Sequence, residues 1–452
     1  MGYAGFDIEG KRITVVGAAR SGVAVALLLA QKGVQVFVTD AAPRNQKQDA
    51  ARQLDESGIP FEFGGHTSRA LKADLLVVSP GMPMQHPFIQ SAVASSIDVV
   101  GELEVASWFC RAPIVAVTGS NGKSTVTALL GALFEAAGRP CVVAGNIGSP
   151  FSGSVLQTTE AGVAVLEVSS FQLETIRTFK PVVSVFLNLT PDHLDRHGDM
   201  AVYGRLKARI FMNQTREDIH IFNAEDQAVS ALSSAAHAQC LSFGIQKGGD
   251  RQGYLHNGNL ILRLHADEEI LLSVNDMTLK GRHNAANALA AGLAARVMDV
   301  EARTIGNVLH TFRGLPHRME AVREFDGVLW INDSKATNVD SVWYALGSYP
   351  RPVILIAGGR DKDSDFNRLR DRIRESTRGI ILMGEAAEKM EKALSGIVPI
   401  LRAESLRDAV RLAQEMAKPG DVVLLSPGCA SFDMFDHFED RGEQFKKLVK
   451  ER

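Results

Sequence analysis

An apolar run, Val115-Ala116-Val117-Thr118, passes into Gly119-Ser120-Asn121-Gly122, and Lys123-Ser124-Thr125 then opens a helical pattern through Val126 to Leu130. A chain that does this must set a helix N-terminus at the carboxyl end of a buried strand, which is an α/β arrangement. Turn amides and the helix start aim donors at phosphate oxygens. The lysine reaches the terminal phosphates, and the Ser124 hydroxyl suits Mg²⁺. Val117 stands where the strict pattern has its first glycine, so Gly119 opens a shortened variant. A bare GxxGKS is also met as a plain tight turn; the strand before it and the helix after it weigh against that.

The length of 452 residues suggests about three domains, placed at 1–110, 111–312 and 313–452. With 49 basic against 52 acidic residues there is no polyanion-binding surface, and nucleic acid is excluded as a partner. Asp7, Glu9, Lys11 and Arg12 precede the first apolar run, unlike a signal peptide, and no apolar stretch is long enough for a membrane span. Cys110, Cys141, Cys240 and Cys429 are far apart and read as buried, reduced thiols of a cytoplasmic protein.

In the first domain Arg12 to Gly17 reads as a strand, Ala18-Ala19-Arg20-Ser21-Gly22 as a turn into a helix, and Val34 to Thr39 as a second strand ending at Asp40. An acidic residue at that distance suits a ribose hydroxyl. Ala19 replaces the second glycine of a dinucleotide fingerprint, which disfavours a nicotinamide-dependent oxidoreductase. A third strand, Asp74 to Ser79, leads into Pro80-Gly81. A purely structural βαβ turn is the competing account.

The second domain carries strands at Val163–Val168 and Val182–Leu187, a small β excursion within 251–276 and a helix from His283 to Val297. The third has strands at 328–333, 353–357, 379–383 and 422–425, each closing on turn residues. Polar residues at the carboxyl ends of buried strands line sites in such sheets, which draws attention to Glu167, Asn188 and Asp333.

The run Asn188-Leu189-Thr190-Pro191-Asp192-His193-Leu194-Asp195-Arg196-His197 is dense in ligand atoms, and with Glu167 and Ser124 it makes His193 a metal or substrate candidate. Hydroxyl and carboxylate oxygens beside phosphates suit Mg²⁺, and two such ions would neutralise charge at a γ-phosphate under attack. Arg205, Lys207 and Arg209 read by spacing alone as a solvated basic helix face. Asp333-Ser334-Lys335 reads either as nucleotide contacts or as a helix N-cap. Asn284 and Asn287 share one helix face, suited to an adenine edge or to a capped helix start. Lys362 and Ser431 sit in turns suited to gripping a carboxylate.

These segments together resemble the ATP-dependent Mur ligases of peptidoglycan synthesis over essentially the whole chain. The resemblance is carried by Thr118-Gly119-Ser120-Asn121-Gly122-Lys123-Ser124-Thr125, Gly145-Asn146-Ile147-Gly148, Glu167 to Leu173, Asp192 to Arg196, Gly281-Arg282-His283-Asn284, Gly314-Leu315-Pro316-His317-Arg318, Asn332 to Asn338 and Ser426 to Ser431. The Leu-Pro-His-Arg, Asp-Ser-Lys-Ala-Thr-Asn and Ala-Ser-Phe-Asp motifs are similar to the branch that adds D-glutamate. The chain has no Asp-Asn-Pro-Arg motif of the diamino-acid-adding branches, and folylpolyglutamate synthases, which share the phosphate loop, would not need the first domain. A non-catalytic nucleotide switch would not need the third.

The resemblance implies a Rossmann-like UDP-binding domain, a central P-loop ATPase-type domain and a C-terminal Rossmann-like domain. It implies a ligase acting on UDP-N-acetylmuramoyl-L-alanine and D-glutamate through an acyl phosphate, as a cytoplasmic monomer. ATP would lie on Gly119 to Thr125, with Asn284, Asn287, Arg318 and Asp333 also reaching the nucleotide. Mg²⁺ would sit on Ser124 and Glu167, and a second ion on His193 and a carbamylated Lys207. Arg20, Ser21, Asp40, Gly81 and Asn146 would hold the UDP substrate, and Thr337, Lys362, Ser431, Phe432 and Phe438 the D-glutamate. Lys123, Asn146, His193, Lys207 and Lys335 would carry the chemistry.

Overall fold

The computed structural model describes residues 2–3, 6–246, 248, 250–264, 267–361 and 364–451. Lys362 and Asp363 lie outside them, so the expectation for Lys362 does too. A short antiparallel pair, β1 (Gly2–Tyr3) and β2 (Phe6–Asp7), precedes three sheets. The first sheet holds β3 (Arg12–Val16), β4 (Gln35–Asp40), β5 (Phe61–Phe63), β6 (Leu75–Val78) and β7 (Asp98–Gly101), in the order β5-β4-β3-β6-β7 and all parallel. Sequence order reverses between β3 and β6, which opens a crevice at their carboxyl ends, at Gly17–Arg20 and Ser79–Gly81.

The second sheet is built from β8 (Ile114–Thr118), β9 (Cys141–Gly145), β10 (Val163–Glu167), β11 (Val183–Phe186), β12 (Ile219–Asn223), β13 (Gln239–Phe243), β14 (Gly253–His256), β15 (Asn259–Leu262) and β16 (Glu269–Ser273). Its order is β16-β15-β14-β13-β12-β11-β8-β10-β9, with only β14-β15 and β15-β16 antiparallel. Again the order reverses beside β8, the strand that feeds the phosphate loop. Every residue of β8 and β10 is buried, as strands covered on both faces must be, so they read as unbroken apolar runs.

The third sheet contains β17 (Glu320–Phe325), β18 (Val328–Asn332), β19 (Val353–Gly358), β20 (Thr377–Met383), β21 (Ile400–Arg402) and β22 (Val422–Leu425), in the order β17-β18-β22-β19-β20-β21. Only β17 runs antiparallel to its neighbour. Alternate residues feed two cores. Leu355, Ile380, Leu382 and Leu424 enter one cluster, while Ile354, Ile356, Ile381 and Val423 enter another. That is the period of two expected of a sheet packed on both faces.

The described chain divides into two compact units, Met1–Leu189 with Ala201–Ser273 and Ala286–Val308, and Thr190–Met200 with Val274–Ala285 and Leu309–Arg452. The first unit therefore holds two of the sheets. They are tied through Glu104, which is buried at the centre of a bond cluster. Its carboxylate accepts from Trp108 Nε1 and from the backbone N–H groups of Arg177, Thr178 and Phe179, at 2.8–3.0 Å. The Thr178 hydroxyl donates to it as well, at 2.5 Å.

Cys429 alone of the four thiols is buried; Cys110 and Cys141 are half-buried and Cys240 is exposed. That corrects the expectation of four buried thiols. Cys240 lies in the open first half of β13, whose burial is confined to its far end. No described helix is long and apolar enough to cross a membrane.

Candidate active site

The phosphate loop joins β8 to the helix Lys123–Ala136. Gly119 and Gly122 take φ of +151° and +86°, conformations an L side chain resists. Space forbids a side chain at Gly122 as well, because an added Cβ would meet Asn287 Oδ1 at 2.5 Å. Asn188, two residues past β11, holds the loop as a backbone strand would. Its Oδ1 accepts from Asn121 N at 2.8 Å, its Nδ2 donates to Asn121 O at 2.9 Å, and its own carbonyl accepts from Ser120 N at 3.0 Å. Lys123 Nζ donates to the carbonyls of Gly119 and Ser120, each at 2.8 Å. Ser124 and Thr125, the next helical residues, are buried.

Lys207 is 1% exposed. Its Nζ donates to Gly119 O at 2.8 Å and lies 4.6 Å from the Tyr203 ring centroid, while Ser120 Oγ donates to Tyr203 Oη at 3.3 Å. The solvated basic face expected from spacing is therefore corrected. On the helix Met200–Ala208 and the turn after it, Lys207 points into the loop, and Arg209 donates to the carbonyls of Leu173 and Ile176. Only Arg205 of the three is exposed.

Glu167 ends β10 and is 2% exposed. Asn146 Nδ2 donates to its Oε1 at 2.8 Å, and Asn146 N to its backbone carbonyl at 2.9 Å. Gly145 must be glycine, since a Cβ there would lie 2.3 Å from Glu167 O. The Ser169–Gln172 part of the same motif is a capping box on the short helix that follows. Asn146 and Glu167 thus form one hydrogen-bonded pair. In chemical terms the unit offers a hard hydroxyl oxygen at Ser124, a carboxylate at Glu167 and an amine at Lys207 around the phosphate-binding turn. Among the described residues no group of three or more His, Cys, Asp or Glu side chains forms a ready-made cation site.

In the first sheet Asp40 ends β4 and turns inward. Ala18 N donates to Oδ2 at 2.6 Å, Ala42 N to Oδ1 at 2.8 Å, and Lys47 Nζ lies 3.0 Å from Oδ2. Burial pushes the carboxyl up, but these donors outweigh it and hold it below the usual range. The acidic residue therefore shapes the turn that the sequence assigned to a ligand. Beside that turn lies a cleft of about 920 Å³, lined by Ala19, Arg20, Lys47, Gly148 and one side of the helix Arg20–Gln31, including Val23 and Leu27. Ser21 is the second residue of that helix, and Gly81 faces open space.

In the second unit three strand ends converge, after β18, β19 and β22. Asp333 is buried; its Oδ2 accepts from Ser426 Oγ at 2.9 Å and its Oδ1 from Met319 N at 3.2 Å. Burial pushes its carboxyl up to about 6 against the opposing pull of Arg318. The Arg318 Nε is buried without a hydrogen-bond partner. Asp333 is not a helix N-cap, correcting that reading: four more residues pass before Asn338 caps the helix Val339–Leu346.

Lys335 Nζ lies 5.4 Å from the Phe438 ring centroid, and Lys335 N donates to His317 O. Ser431 is buried, whereas Phe432 is 63% exposed; Thr337 is half-buried. Burial, with Arg318 nearby, pushes the His283 imidazole down to about 4. Asn284, next along, donates from Nδ2 to Lys280 O at 2.8 Å.

His193 adopts φ +55° and caps the turn Leu194–His197. Its Nε2 lies 3.7 Å from Asp192 Oδ2.

Two residues escaped the sequence reading. Tyr203 carries no motif signal. Arg441, the largest fully buried side chain, donates to Ser334 Oγ, Ser334 O and Cys429 O. Its position three residues after Phe438 in the helix Phe438–Lys450 was the available clue.

A phosphate loop at a sheet's switch point, followed by a third α/β layer with its own strand-end site, defines the class, and comparison with known proteins gives it its place. The Mur ligase MurD-like N-terminal domain matches residues 11–101, the Mur ligase middle domain 117–295 and the Mur ligase glutamate ligase domain 317–429. The chain belongs to the Mur ligase family. It is 48% identical to the UDP-N-acetylmuramoylalanine–D-glutamate ligase of Salinibacter ruber, with 98% of each chain covered. To the enzyme of the same name from Pelotomaculum thermopropionicum it is 42% identical, again over 98% of each. Among solved structures it is similar in fold to a pseudomurein peptide ligase type C from Methanothermus fervidus, with a TM-score of 0.62 at 18% identity, covering 98% of this chain and 100% of the other.

Proposed function

We propose that the chain joins D-glutamate to UDP-N-acetylmuramoyl-L-alanine at the expense of ATP, as a cytoplasmic monomer with domains at 1–110, 111–312 and 313–452. The observation that carries this reading is the set of buried Ser124, Glu167 and Lys207 with half-buried Lys123 gathered about the phosphate loop, in a chain alike over its full length to ligases of that name. The substrate carboxylate attacks the γ-phosphorus of ATP, the bond to the ADP oxygen breaks, and an acyl phosphate forms. The D-glutamate amine then adds to the acyl carbon. The tetrahedral intermediate collapses with loss of phosphate, and the nitrogen gives up a proton to leave an amide.

Such chemistry asks for positioning and charge neutralisation more than for a protein nucleophile. Lys123 turns from its loop carbonyls to the β- and γ-phosphates, while the loop amides and Thr125 cradle them. Asn146 orients the substrate beside Glu167. Asn284, Asn287, Arg318 and Asp333 serve the nucleotide, Lys335 the transferring phosphate, and Thr337, Ser431, Phe432 and Phe438 the amino acid, with Lys362 assigned to it by sequence. Arg20, Ser21, Asp40 and Gly81 serve the UDP end.

The oxygen donors Ser124 and Glu167 fit Mg²⁺, and a second ion falls to His193 and Lys207. When bound, Mg²⁺ supplies positive charge against the phosphate oxygens. Carbamylation would convert Lys207 from a cation into an oxygen ligand, so Lys207→Ala removes turnover while leaving the melting temperature within a few degrees; full turnover in that variant rejects the assignment.

The test of function is phosphate release from ATP with UDP-N-acetylmuramoyl-L-alanine, scanning D-glutamate against L-glutamate, L-lysine, L-alanine and diaminopimelate. Release that needs D-glutamate is expected. Release with another amino acid moves the chain to a sister branch of the family, and none at all ends the ligase reading.

A further inference from the structure

The segment 190–200 follows β11 of the second sheet yet belongs to the unit built on the third. One side chain of that unit reaches it in a defined geometry. Asn338 Oδ1 accepts from Ser341 N at 2.9 Å, as the N-cap of the helix Val339–Leu346. With the oxygen so engaged, the amide NH₂ is left to face the other way, where it donates to Asp192 Oδ2 at 3.1 Å. The same Asp192 oxygen stands 3.7 Å from His193 Nε2. His193 in turn holds a left-handed backbone whose carbonyl accepts from Arg196 N and His197 N. A helix cap thus fixes an amide, the amide fixes a carboxylate, and the carboxylate stands against the imidazole.

We infer that Asn338 is a positioning residue for the ligase reaction: its amide donor aims the Asp192–His193 pair from the N-cap of the helix Val339–Leu346. This rests on the function proposed above. A residue serving only as a helix cap needs just an acceptor, whereas the positioning role needs the donor as well. The two roles therefore separate by substitution.

Asn338→Asp keeps an N-cap acceptor but sets a carboxylate against Asp192. The expected result is a melting temperature within about 3 °C of wild type, kcat at least tenfold lower, KM for ATP within twofold, and amide hydrogen exchange in 190–200 at least threefold faster. Asn338→Ser, which also caps but cannot reach, falls between. The double variant Asp192→Asn/Asn338→Asp restores the bond with donor and acceptor exchanged. It should recover exchange protection fully and kcat at least fivefold over Asn338→Asp.

Unchanged exchange in Asn338→Asp, faster exchange with wild-type kcat, or no recovery of protection in the double variant each overturns the inference. If wild-type protein fails to turn over D-glutamate at all, the functional reading falls by itself, and the exchange data still decide whether Asn338 orders the His193 segment.

Discussion

Asp333 shows how a single side chain trades stability against binding. In the folded chain burial raises its carboxyl to about 6 from an ordinary value of 3.8. A carboxyl raised in this way binds its proton more tightly folded than unfolded, so its cost is absent at pH below 3.8, grows as the pH rises and is complete above about 6. Asp333→Asn should therefore stabilise the nucleotide-free protein at pH 7.5, by on the order of 2 kcal/mol, while weakening ATP binding. Urea midpoints at pH 4 and 7.5, beside an ATP titration, check both halves; a variant less stable at pH 7.5 refutes the argument.

His220 behaves oppositely. It is fully buried, with Nδ1 at 2.8 Å from Ser184 Oγ and Nε2 at 2.9 Å from Ser233 Oγ, and burial pushes it down to about 3. Below an ordinary value of 6.5 the unfolded chain takes a proton that the folded one refuses. Stability is thus whole above pH 6.5 and drains as the pH falls toward 3, at roughly 1.4 kcal/mol per unit. Against His220→Gln, the wild type should lose on the order of 2 kcal/mol more between pH 7 and pH 5, read from denaturant midpoints.

At the level of elements, the strand–turn–helix of the phosphate loop is the part most open to test. Gly122→Ala strains a left-handed backbone and drives a methyl group into Asn287. ATP affinity should drop at least tenfold by calorimetry, with a loss of about 1–3 kcal/mol in stability; an alanine variant with native affinity would show that the loop does not need this conformation.

The same elements explain what could be read from sequence. Val115 to Thr118 and Val163 to Glu167 are buried on both faces and declare themselves as apolar runs. The strands β5, β13 and β21 are short or half-exposed, with mixed polarity, and left no such trace; β9 is apolar in sequence but only Ala144 of it is buried. Motif glycines at 122 and 145 were legible because close approach admits nothing larger. The inward turn of Lys207 was not, because a basic residue on a helix reads alike whether it faces water or a carbonyl. The bonds of Arg441 depend on strands distant in sequence and could only be found in three dimensions.

For the molecule as a whole, the third sheet owns two cores, one on each face. A fragment of residues 309–452 should accordingly fold alone, giving a dispersed amide spectrum and a cooperative melt. A fragment that binds hydrophobic dye and lacks near-ultraviolet dichroism would show that 190–200 and 274–285 are needed to complete it.

The first two sheets have no such independence. The carboxylate of Glu104 belongs to one and nearly all its donors to the other, so neither half is a self-contained module. Anyone grafting a different nucleotide-sugar reader onto this ligase would have to carry the bend at 177–179 along with the foreign domain, or supply a new acceptor for its three backbone amides. Any exchange of the first sheet for another faces the same restriction, because the bend at 177–179 needs a carboxylate where Glu104 now stands.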